Sequence, residues 1–173
     1  MSARAEYGPM VEIGERAPDF TLPDQNGMSV RVSGFSGKRV VLSFHPLAWT
    51  SVCARQMRAL EANREALASL NAVALGISVD SVPCKRAWAE SLGVKDTLLL
   101  ADFWPHGDVA QMYGVFDGVK GYSRRANVVI DEFGHVIFAR EYPMATAPDL
   151  QDVLEVLREQ EKSRQEEEQV PRM

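Results

Sequence analysis

The chain has 173 residues and a formal charge of −5 at pH 7. That length suits one domain able to bury roughly two-thirds of its unfolded surface. Hydrophobic residues make up 46% and charged residues 25%, close to the globular average, which excludes a disordered or fibrous chain; the acidic balance argues against a nucleic-acid partner. The opening MSARAEYGPM lacks the apolar stretch of a secretory signal. No apolar run reaches the ~20 residues of a membrane helix. No membrane association is expected, and the expected location is cytoplasmic, where thiols are kept reduced.

Residues 1–10 read as a flexible arm, 11–158 as the folded domain and 159–173 as a charged tail. Phe20-Thr-Leu and Met28-Ser-Val-Arg-Val flank Asp24-Gln-Asn-Gly27, the pattern of a hairpin with an Asn-Gly turn. Arg39–Phe44 is an apolar run that predicts a buried strand. A helix is predicted over Ser51–Leu70, with Met57, Leu60, Leu67 and Leu70 on one face. Val73–Val79 is a second buried strand. Asp80-Ser81 can cap the helix after it, with Pro83 in the first turn and Gly93 near the end. Thr97–Leu100 predicts a third strand, and Asp108–Tyr113 a short helix closed by Gly114. Phe103 and Trp104 read as core or edge packing, not as a substrate wall. Asn127–Ile130 and His135–Phe138 bracket Asp131–Gly134 as a second hairpin. Leu150, Val153, Leu154 and Leu157 define a last amphipathic helix, and the apolar stripe stops from Glu159 onward. This order is that of an α/β protein with a mixed sheet and helices on both faces. The strands at 39–45 and 73–79, joined by a helical crossover, are expected to be parallel, with their C-terminal ends on one edge.

The two cysteines, Cys53 and Cys84, are too few for a disulfide scaffold or a cysteine-rich zinc site. The three histidines, His45, His106 and His135, form no tight ligand cluster with them, so no metal is expected. Each cysteine is then either a small buried hydrophobe or the chemistry. Cys53 follows a strand and a short loop and falls in the first turn of a helix, where unpaired N–H groups and the helix dipole stabilise an anion such as a thiolate. Thr50 can donate to that thiolate or to an approaching oxygen, or it can simply cap the helix. Pro46 can stiffen the loop and shield the sulfur, or be an ordinary turn proline. His45 can be a base near the cysteine or a packed residue at a strand end.

Taken together, Pro46-x-x-x-Thr50-x-x-Cys53 after a buried strand resembles the active-site loop of the peroxiredoxins. The similarity extends from about Val11 to Leu157. It takes in Ala17-Pro18-Asp19-Phe20, Gly76–Ser81, Asp102 and Tyr113-Gly114-Val115. The family's active-site arginine has two candidates, Arg124 and Arg125; counting back six residues from Asp131 selects Arg125. Gln56, three after the cysteine, fits the alkyl-hydroperoxide-reductase-E-like and bacterioferritin-comigratory branch. Ser51, His45 and Trp49 depart from residues common in the family, and they bear on access and substrate preference.

The resemblance implies a thioredoxin-like fold: a mixed central sheet flanked by helices, with an N-terminal β-hairpin. It also implies a thiol peroxidase that needs no cofactor, whether metal, flavin or haem. The expected catalytic set is Cys53, Thr50, Arg125, Pro46 and Cys84. Cys53 attacks a hydroperoxide and becomes a sulfenic acid. Cys84, also near a helix start on the same sheet edge, is expected to resolve it as an intramolecular disulfide, recycled by thioredoxin or a similar thiol reductant. The alternative is a one-cysteine enzyme served by an external thiol, with Cys84 a bystander. A homodimer is expected. Two other classes compete. A disulfide oxidoreductase wants Cys-x-x-Cys, but position 56 is Gln56. A non-enzymatic redox sensor or holdase would use Cys53 as a switch.

Overall fold

The computed structural model describes residues 9–171. Of the arm expected over residues 1–10, residues 1–8 lie outside the described residues. Strands β1 (Thr21–Pro23) and β2 (Ser29–Arg31) form the expected antiparallel hairpin. Asp24 holds its turn, accepting from the Asn26 and Met28 N–H groups at 2.8 and 3.0 Å. A single 3-10 turn, Val32–Phe35, leads into β3 (Arg39–Phe44).

Every residue of β3 is buried, Arg39 and Ser43 included, as in a strand covered on both faces. It pairs in parallel with β4 (Ala72–Ser78), which pairs in parallel with β5 (Leu98–Ala101). On its other side β3 pairs antiparallel with β8 (Ala126–Ile130), and β8 with β9 (Val136–Glu141). The sheet order is therefore β5-β4-β3-β8-β9, a mixed sheet with β3 at its centre. The period-2 alternation of side chains divides the core in two. Val40, Leu42, Phe44, Val128 and Ile130 pack on the side of the N-terminal hairpin. Val41 and Val129 pack on the side of helices α1 (Ser51–Ala62), α3 (Val82–Leu92) and α5 (Gln151–Glu168).

The single helix predicted over Ser51–Leu70 is two helices, α1 and α2 (Arg64–Ser69), divided at Asn63. The Asn63 amide side chain donates to the Ala59 carbonyl at 2.8 Å, a local bond that competes with the helix ladder. Helix α3 starts and stops as predicted. Ser81 is its N-cap, accepting from the Cys84 N–H at 3.4 Å, and Gly93 closes it at φ 70°. Helix α4 (Asp108–Met112) follows β5. A two-residue hairpin, β6 (Phe116–Asp117) with β7 (Tyr122–Ser123), is absent from the sequence reading because strands of two residues carry no periodicity.

Two further departures have physical causes. Phe103 and Trp104 do not pack in the core: they are 53% and 81% exposed. Asp102 accepts from the Val109 and Ala110 N–H groups at 3.1 and 3.0 Å, and the intervening residues loop outward. Helix α5 continues to Glu168, ten residues past Arg158, although its buried residues end at Leu157. Its extension is tied back by Glu161, whose Oε2 lies 2.8 Å from Nη1 of the fully buried Arg39. Arg39 also meets Glu132 at 3.1 Å and donates to the Leu70 carbonyl at 2.9 Å. Among the described residues, no helix is long and apolar enough to cross a membrane.

Candidate active site

The C-terminal ends of β3, β4 and β5 share one edge of the sheet, because the three strands are parallel. The antiparallel β8 begins on that edge. Its register pairs Phe44 with Ala126, so Arg125 arrives opposite the end of β3. The chain leaves β3 through His45 and the buried Pro46, makes a short loop, and enters α1 at Ser51. Asp80, at the end of the neighbouring strand, pins this loop. Its Oδ2 accepts from the Ala48 N–H at 2.8 Å and from the Ser78 hydroxyl at 2.6 Å. The sequence reading assigned Asp80 to capping α3; that work falls to Ser81 alone, and Asp80 shapes the cysteine loop instead.

Cys53 is the third residue of α1 and is 1% exposed. Its amide is the last before the first helical bond, from Ala54 N–H to the Thr50 carbonyl at 2.9 Å. That N–H and the two before it belong to the unpaired donors of a helix start. Arg125 Nη1 lies 3.3 Å from Cys53 Sγ. The structure thus brings Cys53 and Arg125 together across 72 residues of chain. Arg124 turns elsewhere, donating to the Gly114 carbonyl at 2.7 Å and pairing with Glu141 at 3.1 Å.

A network holds Arg125 in place. Nη1 also donates to Gln56 Oε1 at 2.7 Å, and Nη2 donates to the Met144 carbonyl at 2.8 Å. Gln56 in turn donates to Ser43 Oγ at 2.7 Å and to the Phe44 carbonyl at 3.1 Å. Ser43 donates to Asn127 Oδ1 at 2.7 Å, its direct partner across the β3–β8 ladder. Sequence reasoning used Gln56 as a mark of kinship and missed its contact with Arg125. It missed Ser43, Asn127 and Met144 altogether. The polar residue at each of positions 43, 56 and 127, set among buried apolar neighbours, was the available signal.

The remaining predicted residues are placed more loosely. Thr50 stands at the N-cap but makes no side-chain capping bond. Its hydroxyl donates to the Leu47 carbonyl at 2.7 Å on the exposed rim of the site. Pro46 lies beneath that rim. Cys84, third in α3 and half-buried, points its thiol at Asp80 Oδ1, 3.8 Å away. Both cysteines are free thiols. Burial, and then the Asp80 carboxylate, push the Cys84 thiol up. His45 is fully buried, with its ring centroid 5.3 Å from that of Trp88. Among the described residues, no group of three His, Cys, Asp or Glu side chains is arranged to hold a metal ion.

A cysteine sulfur at a helix start, facing a guanidinium anchored by Gln56 and the Met144 carbonyl, is equipped for anion chemistry at sulfur. Known proteins share this arrangement of elements. A model of the AhpC/TSA family matches residues 13–139. Alkyl hydroperoxide reductase E from Mycobacterium tuberculosis (strain ATCC 25618 / H37Rv) is 41% identical over 131 residues, spanning 75% of this chain and 85% of that protein. The crystal structure of peroxidoxin BcpB from Mycobacterium tuberculosis superposes with a TM-score of 0.77 at 30% identity, covering 86% of this chain and 97% of that one. The reduced 2-Cys peroxiredoxin of Plasmodium vivax gives 0.80 at 26% identity, covering 90% and 84%.

Proposed function

Because the chain belongs to the AhpC/TSA family, and is thus a peroxiredoxin, we propose that it reduces hydrogen peroxide and organic hydroperoxides with Cys53 as the attacking thiolate. The observation that carries this reading is the 3.3 Å approach of Arg125 Nη1 to Cys53 Sγ. The thiolate attacks the terminal peroxide oxygen. An S–O bond forms, the O–O bond breaks, and the departing alkoxide takes up a proton to leave as alcohol or water. Sulfur loses two electrons and becomes a sulfenic acid. Charge moves from sulfur toward the leaving oxygen, so donors that also reach the developing alkoxide lower the barrier. Arg125 and the Cys53 N–H are the donors on the sulfur side. Thr50, on the open rim, is the group that meets the peroxide, and Pro46 closes the floor against water.

Cys84 is the proposed resolving cysteine. Its thiol attacks the sulfenic acid, an S–S bond forms and water leaves; a thioredoxin-type dithiol then reduces the disulfide. In the reduced state Cys84 faces Asp80 within an ordered helix start, and one or both of the first turns of α1 and α3 are expected to unwind for the sulfurs to bond. That same observation favours the second reading, a one-cysteine cycle completed by an external thiol. The catalytic unit is proposed to span residues 11–158, and the assembly is proposed to be a homodimer. Trp49 and Trp104, 58% and 81% exposed beside the site edge, supply apolar surface for such contacts.

One titration tests the chemistry. The reduced protein is treated with one equivalent of peroxide, and intact mass and free thiols are measured. Loss of two thiols without covalent dimer supports the disulfide; a sulfenic acid with Cys84 still free selects the one-cysteine cycle. Peroxide turnover with a dithiol reductant is expected to vanish in Cys53→Ser. Retention of full turnover in that variant, or no turnover in the wild type, overturns the peroxidase reading in favour of a redox sensor or holdase.

A further inference from the structure

Two buried nitrogen bases beside the site have no part in the chemistry proposed above. Lys85 and His45 are both 0% exposed, and Lys85 Nζ lies 2.8 Å from His45 Nε2. Trp88 walls the pair, its ring centroid 5.6 Å from Nζ and 5.3 Å from the imidazole centroid. An ammonium in so dry a place is costly unless it is paired. Here its acceptor is an imidazole, not a carboxylate. Donation to Nε2 leaves the ring proton on Nδ1, 3.5 Å from the Ser43 carbonyl oxygen.

The charged and titratable groups acting on this pair come from four elements. Cys53 in α1, Asp80 in the turn after β4, Cys84 in α3 and Arg125 just before β8 each act on it through their charge. Burial brings Lys85 down to about 7, while Asp80, Cys53 and Cys84 oppose the fall. Burial, and then the Lys85 charge, hold His45 well below its usual range, and the Arg125 charge acts the same way. The pair therefore carries one positive charge or none near neutral pH.

We propose that Lys85 and His45 share a buried proton that sets a positive charge against the Cys53 thiolate and is released when the sulfur is oxidised. The proposal rests on Cys53 being the peroxide-reactive sulfur. In the reduced state the thiolate and the ammonium support one another. On attack the thiolate becomes a neutral sulfenic acid, and the departing alkoxide requires one proton. The ammonium, left in a dry site without its counter-charge, gives up one proton. The step balances when that proton reaches the alkoxide through water. Lys85 touches neither sulfur nor peroxide in this scheme and is a positioning residue.

The test is a ¹³C NMR titration of the lysine Cε carbons in the full-length protein. The chain has five lysines: Lys38, Lys85, Lys95, Lys120 and Lys162. One Cε signal, missing in Lys85→Met, is expected to titrate within about one unit of pH 7. Alkylating Cys53 with iodoacetamide leaves a neutral thioether. This is expected to lower the Lys85 midpoint by about half a unit or more, a threefold loss of proton affinity. His45→Phe removes the acceptor and is expected to move the Lys85 midpoint further down. The proposal is overturned if all five lysines titrate above pH 9, or if the Lys85 midpoint ignores Cys53 alkylation. The wild-type titration needs no variant, so misfolding cannot mask the result. If peroxide turnover is absent while the Lys85 midpoint still follows Cys53, the peroxidase reading fails and the charge coupling stands.

Discussion

Gln56 accepts a 2.7 Å hydrogen bond from the same Arg125 nitrogen that lies 3.3 Å from the Cys53 sulfur. Gln56 and Cys53 are neighbours on one turn of α1, and Arg125 is buried between that helix and the start of β8. The guanidinium is thus aimed by the helix that carries the sulfur. Arg125→Ala is expected to lower the rate constant for peroxide by about 30- to 1,000-fold, the ~2–4 kcal/mol typical of a lost charge-stabilising donor. Gln56→Leu keeps the arginine but frees it to swing, and is expected to cost about tenfold. Stopped-flow tryptophan fluorescence reads both; an unchanged rate in Gln56→Leu counts against the aiming role.

Gly76 lies in β4 directly under α1. A Cβ added there would meet Met57 Sδ at 2.4 Å and Leu99 Cδ2 at 2.9 Å. Met57 can shift in part, but the site is walled by fully buried residues. Gly76→Ala is expected to destabilise the fold by about 1–3 kcal/mol, measured as a lower urea midpoint. It is also expected to slow peroxide reduction, because Met57 lies one turn beyond Cys53.

Glu61 accepts from three successive backbone N–H groups, those of Lys95 and Asp96 at 3.0 Å and Thr97 at 2.8 Å. Burial raises its carboxyl; the bonds from Lys95, Asp96 and Thr97 outweigh that and hold it at about 2, against 4.5 when free. The stabilisation is therefore complete above about pH 4.5 and is lost as the pH falls toward 2. Glu61→Gln is expected to cost about 1 kcal/mol at pH 7, a modest figure because the carboxylate is largely open to water. The gap between variant and wild type should narrow at pH 2.5. Denaturant melts at the two pH values check this, and a gap independent of pH refutes it.

Arg39 and Glu161 bring part of the charged tail into the fold. Truncation after Arg158 removes Glu161 and leaves the buried guanidinium with Glu132 as its carboxylate partner. A lower urea midpoint is expected, with a smaller drop than for a fully orphaned buried charge. Peroxide kinetics should stay within about twofold, because Arg39 lies at the opposite end of β3 from His45. A truncated protein as stable as the full chain would place the domain end at residue 158 energetically as well as catalytically.

How far each feature could be read from the chain follows from the range of its causes. The hairpin at Asp24–Gly27, the Ser81 cap, the Gly93 stop and the placing of Cys53 at a helix start are all written in a few adjacent residues. Hydrophobic period and turn chemistry suffice for such features. The break at Asn63 was missed because the apolar face continues through it to Leu67. The hairpin of β6 and β7 was missed because it is too short to show a period.

Local residue patterns suffice for the element order, the parallel pairing of β3 with β4, and the Pro46–Thr50–Cys53 loop that led to the family. Those features depend on neighbours along the chain. The fold added what no adjacent residues carry: Arg125, the arginine the motif spacing already selected, reaches the sulfur, Gln56 anchors it, Asp80 shapes the loop, and Lys85 meets His45. Each of these joins residues brought close by strand register or helix packing, across 72 residues for Arg125 and Cys53 and 40 for Lys85 and His45. A shift of one residue in the β3–β8 register turns Arg125 to the other face of the sheet. That choice is made by burying Val41 and Val129 on one face and Leu42 and Val128 on the other, an energy that belongs to the whole core and to no local motif.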